Sequence, residues 1–258
     1  MDLIIDTQIL SYRFKGVEVN THNTRLAIAS ITANEFLVAQ AKESEQPDYY
    51  TIHPARYPNL EYSANVLDHF GNPKSAKLGA RRTDRIIIDF GTQFSAYREF
   101  GNEAISEIIN AKKLDIYKIS IAHLSKQRQK YLLSRLKYIL DNDYYCYSLN
   151  KTALGQALSL FSEFTSQHNC KGNIRNTIND LLILATAIDR GKRFLTNDNL
   201  LARFAAEYYE APIHECEDEL LIDFSEKQVE RRKSKESKGY INKGWSYAMR
   251  NNRSPSET

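Results

Sequence analysis

The chain is punctuated by short, continuous apolar runs that each stop at or near an acid. Leu3-Ile4-Ile5 ends at Asp6, Ile86-Ile87-Ile88 ends at Asp89, and Phe194-Leu195-Thr196 is followed by Asn197 and Asp198. Runs this short, apolar on both alternating faces, suit strands covered on both sides, as in a parallel sheet. Helical spacing fills the intervals: a brief helix through Ile9, Leu10 and Phe14, then 26–41, roughly 92–112, 119–141, 151–167, 177–190, and a last helix to about 208. YYCYSL at 144–149 reads as another strand, and Pro212–His214 as a final one. Strands alternating with helices predict an α/β fold with a mostly parallel central sheet flanked by helices.

Two regions break the pattern. Residues 43–85 hold four of the six prolines together with Tyr49, Tyr50, Tyr57 and Tyr62, which reads as a long irregular insertion. The segment 225–258 carries nine Lys/Arg against four Asp/Glu, so its charge is +5 while residues 1–224 carry −2 of the +3 total. The expected organisation is therefore a domain over 1–224, with a helical and irregular insertion at about 41–143, followed by a basic, flexible tail over 225–258. A hydrophobic fraction of 42% suits a substantial core. No apolar stretch approaches the roughly 20 residues that span a bilayer, and MDLIIDTQIL has no basic n-region, so neither a membrane protein nor a secretory signal is expected. Cys146, Cys170 and Cys216 are scattered, which suits a reduced, cytoplasmic protein without structural zinc.

Four acids carry the chemistry. Asp6 and Asp198 follow strands, at the edge where open α/β sheets bind ligands. Glu35 in SITANEFLVA and Asp180 in NDLLILATAI lie early in helices. Each has a structural reading. Asp6 and Asp198 suit N-caps, and Thr32-Ala-Asn-Glu35 and Thr177-Ile-Asn-Asp180 both fit a capping box. Caps alone leave unexplained why four carboxylates should gather at one sheet edge, where they repel unless a cation neutralises them.

In their order, LIID, SITANEFL, NDLLILATA and RFLTND resemble the PIN-domain nucleases, a family that includes VapC-like toxins of toxin–antitoxin pairs. The resemblance covers roughly 1–40 and 144–214, and not 41–143; Leu184 stands where the family has a second small residue. It implies a PIN-like fold and a metal-dependent endoribonuclease that hydrolyses RNA phosphodiester bonds. It also implies an inhibitory antitoxin as partner, and a homodimer is a further expectation. Alternatives left open are a nuclease for RNA processing or defence, and a non-catalytic scaffold that binds RNA or protein.

An all-carboxylate site without His or Cys suits Mg²⁺ or Mn²⁺. Asp6, Glu35, Asp180 and Asp198 would be both its metal ligands and its catalytic groups, holding one ion or two about 4 Å apart. Thr196, Asn197 and Asn179 would support them by hydrogen bonds. Lys171 and Arg175, just before Asp180, and Arg81, Arg82 and Arg85, in a basic cluster with Lys74 and Lys77 beyond the tyrosines, are the candidate RNA contacts. Asp89 is the rival to one of the four acids. His53, His69, His123 and His214 lack metal-ligand spacing, and no glycine-rich phosphate loop or G-x-S-x-G elbow is present.

Overall fold

In the computed structural model, which describes residues 2–17, 24–38, 85–90, 96–168, 174–216, 219–225 and 245–248, β1 (Leu3–Ile5) is the hub. It pairs in parallel with β2 (Leu26–Ala29) on one side and with β6 (Arg193–Thr196) on the other. Outside β2 lies β5 (Tyr145–Tyr147), also parallel. Beyond β6 come two antiparallel strands, β8 (Glu219–Asp223) and β7 (Ile213–Cys216), giving the order β5-β2-β1-β6-β8-β7. The fold is thus α/β, with a mostly parallel six-stranded sheet.

Both faces of this sheet are covered, which is why its central strands are apolar throughout. Ile4, Ala27 and Phe194 share a register and one face. They pack with α6 (Lys151–Gln167), α7 (Ile174–Asp189) and α8 (Asn199–Tyr209). Ile5, Ile28, Leu195 and Cys146 form the other face. It is covered by α1 (Thr7–Phe14), α3 (Asn102–Asn110), α4 (Leu114–Ser120) and α5 (Lys126–Asp141). The helices α3 to α5 lie in the segment read as an insertion, yet they supply a large part of one core. The short α2 (Ser30–Phe36) straddles both cores, with Ile31 in one and Ala33 and Phe36 in the other.

A second sheet has the order β4-β3-β9. Here β3 (Arg85–Asp89) pairs antiparallel with β4 (Tyr97–Phe100) and parallel with β9 (Trp245–Ala248). Four residues of the basic tail are thereby a strand. Phe90, just after β3, meets Phe161 of α6 at a centroid distance of 5.2 Å.

Four strands differ from the sequence reading: β8 and β9 lie beyond the run at 212–214 that reads as the final strand, and two others replace expected helix. Leu26–Ala29 is a strand and not the start of a helix. LAIA is a buried run with no turn residue before Ser30, so its spacing merges with that of α2. Tyr97–Phe100 is likewise a strand, with Tyr97 and Glu99 buried and Arg98 exposed between them. The helical stretch begins only after Gly101, whose φ of 82° ends the strand.

The basic face of α5 is partly consumed in the fold. Arg128 Nη2 donates to the Val38 carbonyl at 2.8 Å and Arg135 Nη1 to that of Phe36 at 2.6 Å. Cations there satisfy the carbonyls that a helix C-terminus leaves open. The Arg135 guanidinium also stacks on Phe36 and Tyr131, 4.4 and 4.5 Å from their ring centroids.

Asn102 ties α3 to the strand ends. Its Oδ1 accepts from the Ser30 hydroxyl and, at 3.2 Å, from the Leu149 amide, while Nδ2 donates to the Leu149 carbonyl at 3.3 Å. Asn102→Ala strands these buried groups and should cost about 2 kcal/mol. Urea unfolding should show a lower midpoint with an unchanged slope; an unmoved midpoint would contradict this role.

Candidate acidic site at the carboxyl edge of the sheet

Asp6 leaves β1 at its carboxyl end and caps α1. Its Oδ1 accepts from the Ile9 amide at 2.7 Å, and its Oδ2 accepts from the Thr196 hydroxyl at the end of β6. The same Thr196 oxygen accepts from the Asp198 amide at 3.0 Å. Asp198 in turn caps α8, its Oδ1 accepting from the Leu201 amide at 3.0 Å. One threonine therefore links the acids that follow β1 and β6. Both acids are N-caps, as the structural reading had it.

Glu35 is not part of a capping box. The N-cap of α2 is Ala29, without a side-chain cap, and Thr32 lies inside the helix. The Glu35 carboxylate reaches across instead. Oε2 accepts from the hydroxyl of Thr7, the residue next to Asp6, and Oε1 accepts from Asn179 Nδ2 at 2.6 Å. Thr177 likewise lies within α7, which starts at Ile174, so it is no N-cap for Asp180. Asp180 follows Asn179 directly in α7 and is partly exposed.

Burial and charge act together on this edge. Asp6 is 9% exposed. Desolvation pushes its carboxyl up to about 6, the amide and hydroxyl donors hold it down, and the Glu35 charge pushes it further up. Glu35 is also raised, chiefly by burial, against hydrogen bonds from Thr7 and Asn179 and the charge of Arg175. The two acids thus lie within reach of each other's charge.

A third acid was not foreseen. Glu99 of β4, 2% exposed, accepts from Asn34 Nδ2 at 2.7 Å and pairs with Arg175. Burial pushes it up to about 7 in spite of Arg175, and Glu35 adds to the rise. The only trace in the sequence is the two-residue spacing of Tyr97 and Glu99, hidden inside an assumed helix. Between α2, β4 and α7 lies a cavity of about 130 Å³, lined by Asn34, Glu35, Glu99, Arg175, Asn176 and Asn179.

The expected RNA contacts fare differently. Arg175 is engaged within the protein: it pairs with Glu99, donates to the Arg98 carbonyl at 2.9 Å and stacks over Tyr97 at 4.8 Å. Arg85 opens β3 in the second sheet. Lys171, Arg81, Arg82, Lys74 and Lys77 lie outside the described residues. Asp89 ends β3, also in the second sheet, and is exposed.

The donor set is compatible with a hard cation. Asp6 is a buried and Glu35 a half-buried carboxylate, both raised chiefly by desolvation, and Asn197 Oδ1 is buried with no hydrogen-bond partner among the described residues. No group of three or more Asp, Glu, His or Cys residues among the described residues is arranged to hold one metal. Mg²⁺ needs only one or two protein carboxylates, with water and substrate completing its shell. No protein-family model, curated protein or solved structure matches the chain.

The raised acids set the sign of a pH dependence. Asp6 has a folded-state pKa of about 6 against an ordinary 3.8, so its stabilisation is complete below the ordinary value and is lost as pH rises through 6. The charge then costs up to about 3 kcal/mol at pH 8. Asn can keep the α1 cap without the charge. Metal-free Asp6→Asn should therefore melt above the wild type at pH 8, with the gap narrowing as pH falls through about 6 and closing near 3.8. A gap independent of pH would contradict a buried, strained Asp6.

Proposed function

We propose that the chain is a PIN-like, metal-dependent endoribonuclease whose site is the carboxyl edge of the sheet. The observation that carries this reading is the juxtaposition of Asp6, at the end of β1, with Glu35 of α2: Thr7, next to Asp6, donates to the Glu35 carboxylate, and desolvation raises both acids. A scaffold gains nothing from forcing these charges together; a cation site needs such a pair. Support also comes from Thr196, which joins the Asp198 turn to Asp6, and from Asn179, which brings the helix of Asp180 to Glu35.

In this reading Asp6 and Glu35 would hold Mg²⁺ or Mn²⁺, with Asp180 and Asp198 acting on it through water or on a second ion. When bound, the ion would supply a water activated for attack and charge compensation for the phosphodiester. The remaining work belongs to the chain. Thr196 fixes the Asp6 carboxylate, and Thr7 and Asn179 fix that of Glu35. Asn197 offers its unpartnered amide oxygen beside Asp198. An acidic edge of this kind also suits closure by a cationic segment of an inhibitory antitoxin. Among the described residues no helix is long and apolar enough to cross a membrane.

The rival reading is a non-catalytic scaffold, and the caps formed by Asp6 and Asp198 favour it, because each acid already has a structural use. Cleavage of a panel of single-stranded RNAs decides between them. Wild type should cut in Mn²⁺ or Mg²⁺ and stop in EDTA. Asp6→Asn and Asp198→Asn should each be slower by about a hundredfold or more with unchanged circular dichroism. RNA left intact across the panel, or variants that cut at the wild-type rate, would overturn the nuclease reading.

A further inference from the structure

The Glu35 carboxylate is held by a relay that starts in the second sheet. Tyr97, on β4, is 4% exposed, and its hydroxyl donates to Asn179 Oδ1 at 2.8 Å. The Asn179 amide then presents Nδ2 to Glu35 Oε1 at 2.6 Å. This direction is chemically enforced. A carboxylate only accepts, so the NH₂ end of the amide must face Glu35, and the carbonyl end is left for a donor. Tyr97 is that donor, since a phenol carries one hydrogen and no second partner lies as near; Glu99 Oε2 is 3.4 Å away.

Tyr97 is itself held from three sides. Its ring lies under the Arg175 guanidinium at 4.8 Å, Arg175 is tied to Glu99 and to the Arg98 carbonyl, and Asn34 holds the other Glu99 oxygen at 2.7 Å. The register of β3 with β4, Ile88 opposite Tyr97 and Ile86 opposite Glu99, sets both side chains on the face that packs into the core. Packing does not do this for Asn179 and Glu35, because both line the cavity of about 130 Å³ and have room to turn. Their orientation depends on the hydrogen bonds.

We propose that Tyr97 is a positioning residue for Glu35: its hydroxyl fixes the Asn179 amide, and that amide fixes the carboxylate for its cation. The proposal rests on the nuclease reading. It assigns to the second sheet, which the resemblance to PIN domains does not cover, the task of preorganising the metal-binding acid. A ligand so positioned binds metal more tightly, and loss of such an outer partner typically costs 10- to 100-fold in affinity or activity.

The test is a double-mutant cycle on Tyr97→Phe and Asn179→Ala, read by Mn²⁺ titration calorimetry without RNA and by cleavage kinetics. Tyr97→Phe keeps the ring and its stacking and removes only the hydroxyl. It should weaken Mn²⁺ about tenfold or more and lower kcat, with KM for RNA little changed. Asn179→Ala should do the same, and adding Tyr97→Phe to it should change Mn²⁺ affinity no further, because the effect passes through Asn179. Should Tyr97→Phe fail to fold, Asn179→Ser shortens the same relay and is titrated in its place. A merely structural Tyr97 would lower the melting temperature while leaving Mn²⁺ affinity unmoved, or would add to Asn179→Ala in full; either result overturns the proposal while leaving the nuclease reading intact. A wild type that neither binds Mn²⁺ nor cuts RNA overturns both.

Discussion

The Asp6 carboxylate is forced into a place where water scarcely reaches it. The parallel pairing of β1 with both β2 and β6 makes Leu3–Ile5 the most enclosed strand of the sheet, and the chain turns into α1 immediately after it. Any residue at position 6 must cap that helix, and an acid does so well. An acid also brings a charge, and the structure answers it with neutral donors, the Ile9 and Asn197 amides and the Thr196 hydroxyl. Glu35 worsens the imbalance, because Thr7 draws its carboxylate to the residue beside Asp6.

Arg175 makes the contrast plain. It lies beside the cavity and lowers Glu35 somewhat, but its closest carboxylate is Glu99. The protein thus pairs the acid on β4 directly, while Glu35 feels Arg175 only at longer range and Asp6 is held by neutral donors. A fold selected only for stability would tend to avoid such a pair. In the proposed reading, a cation offsets that cost.

Much of this was legible in the sequence because the decisive elements are local. LIID and FLTND announce strands by continuous apolar runs and announce the following helices by their caps, and NDLLILATA shows its buried face by helical spacing. What escaped depends on partners distant in sequence. Leu26–Ala29 merged with α2, since nothing between Ala29 and Ser30 interrupts the apolar spacing. Glu99 was invisible because an acid in YREF reads as a solvated residue until Asn34 and Arg175 are seen to close around it. For the same reason Arg175, read as an RNA contact, turned out to have an internal partner. The sequence also could not say that α3 to α5, in a segment without resemblance to the family, would help α1 to cover one face of the sheet.

The central claim is that Asp6 and Glu35 are strained because they await a cation. The most direct test is the melting temperature at pH 8 of wild type and Asp6→Asn, each with EDTA or with millimolar Mn²⁺. Binding to the native state alone must stabilise it. The account predicts a rise of several degrees for wild type on adding Mn²⁺ and little or none for Asp6→Asn. A wild type indifferent to Mn²⁺, or a variant stabilised as much as the wild type, would contradict it.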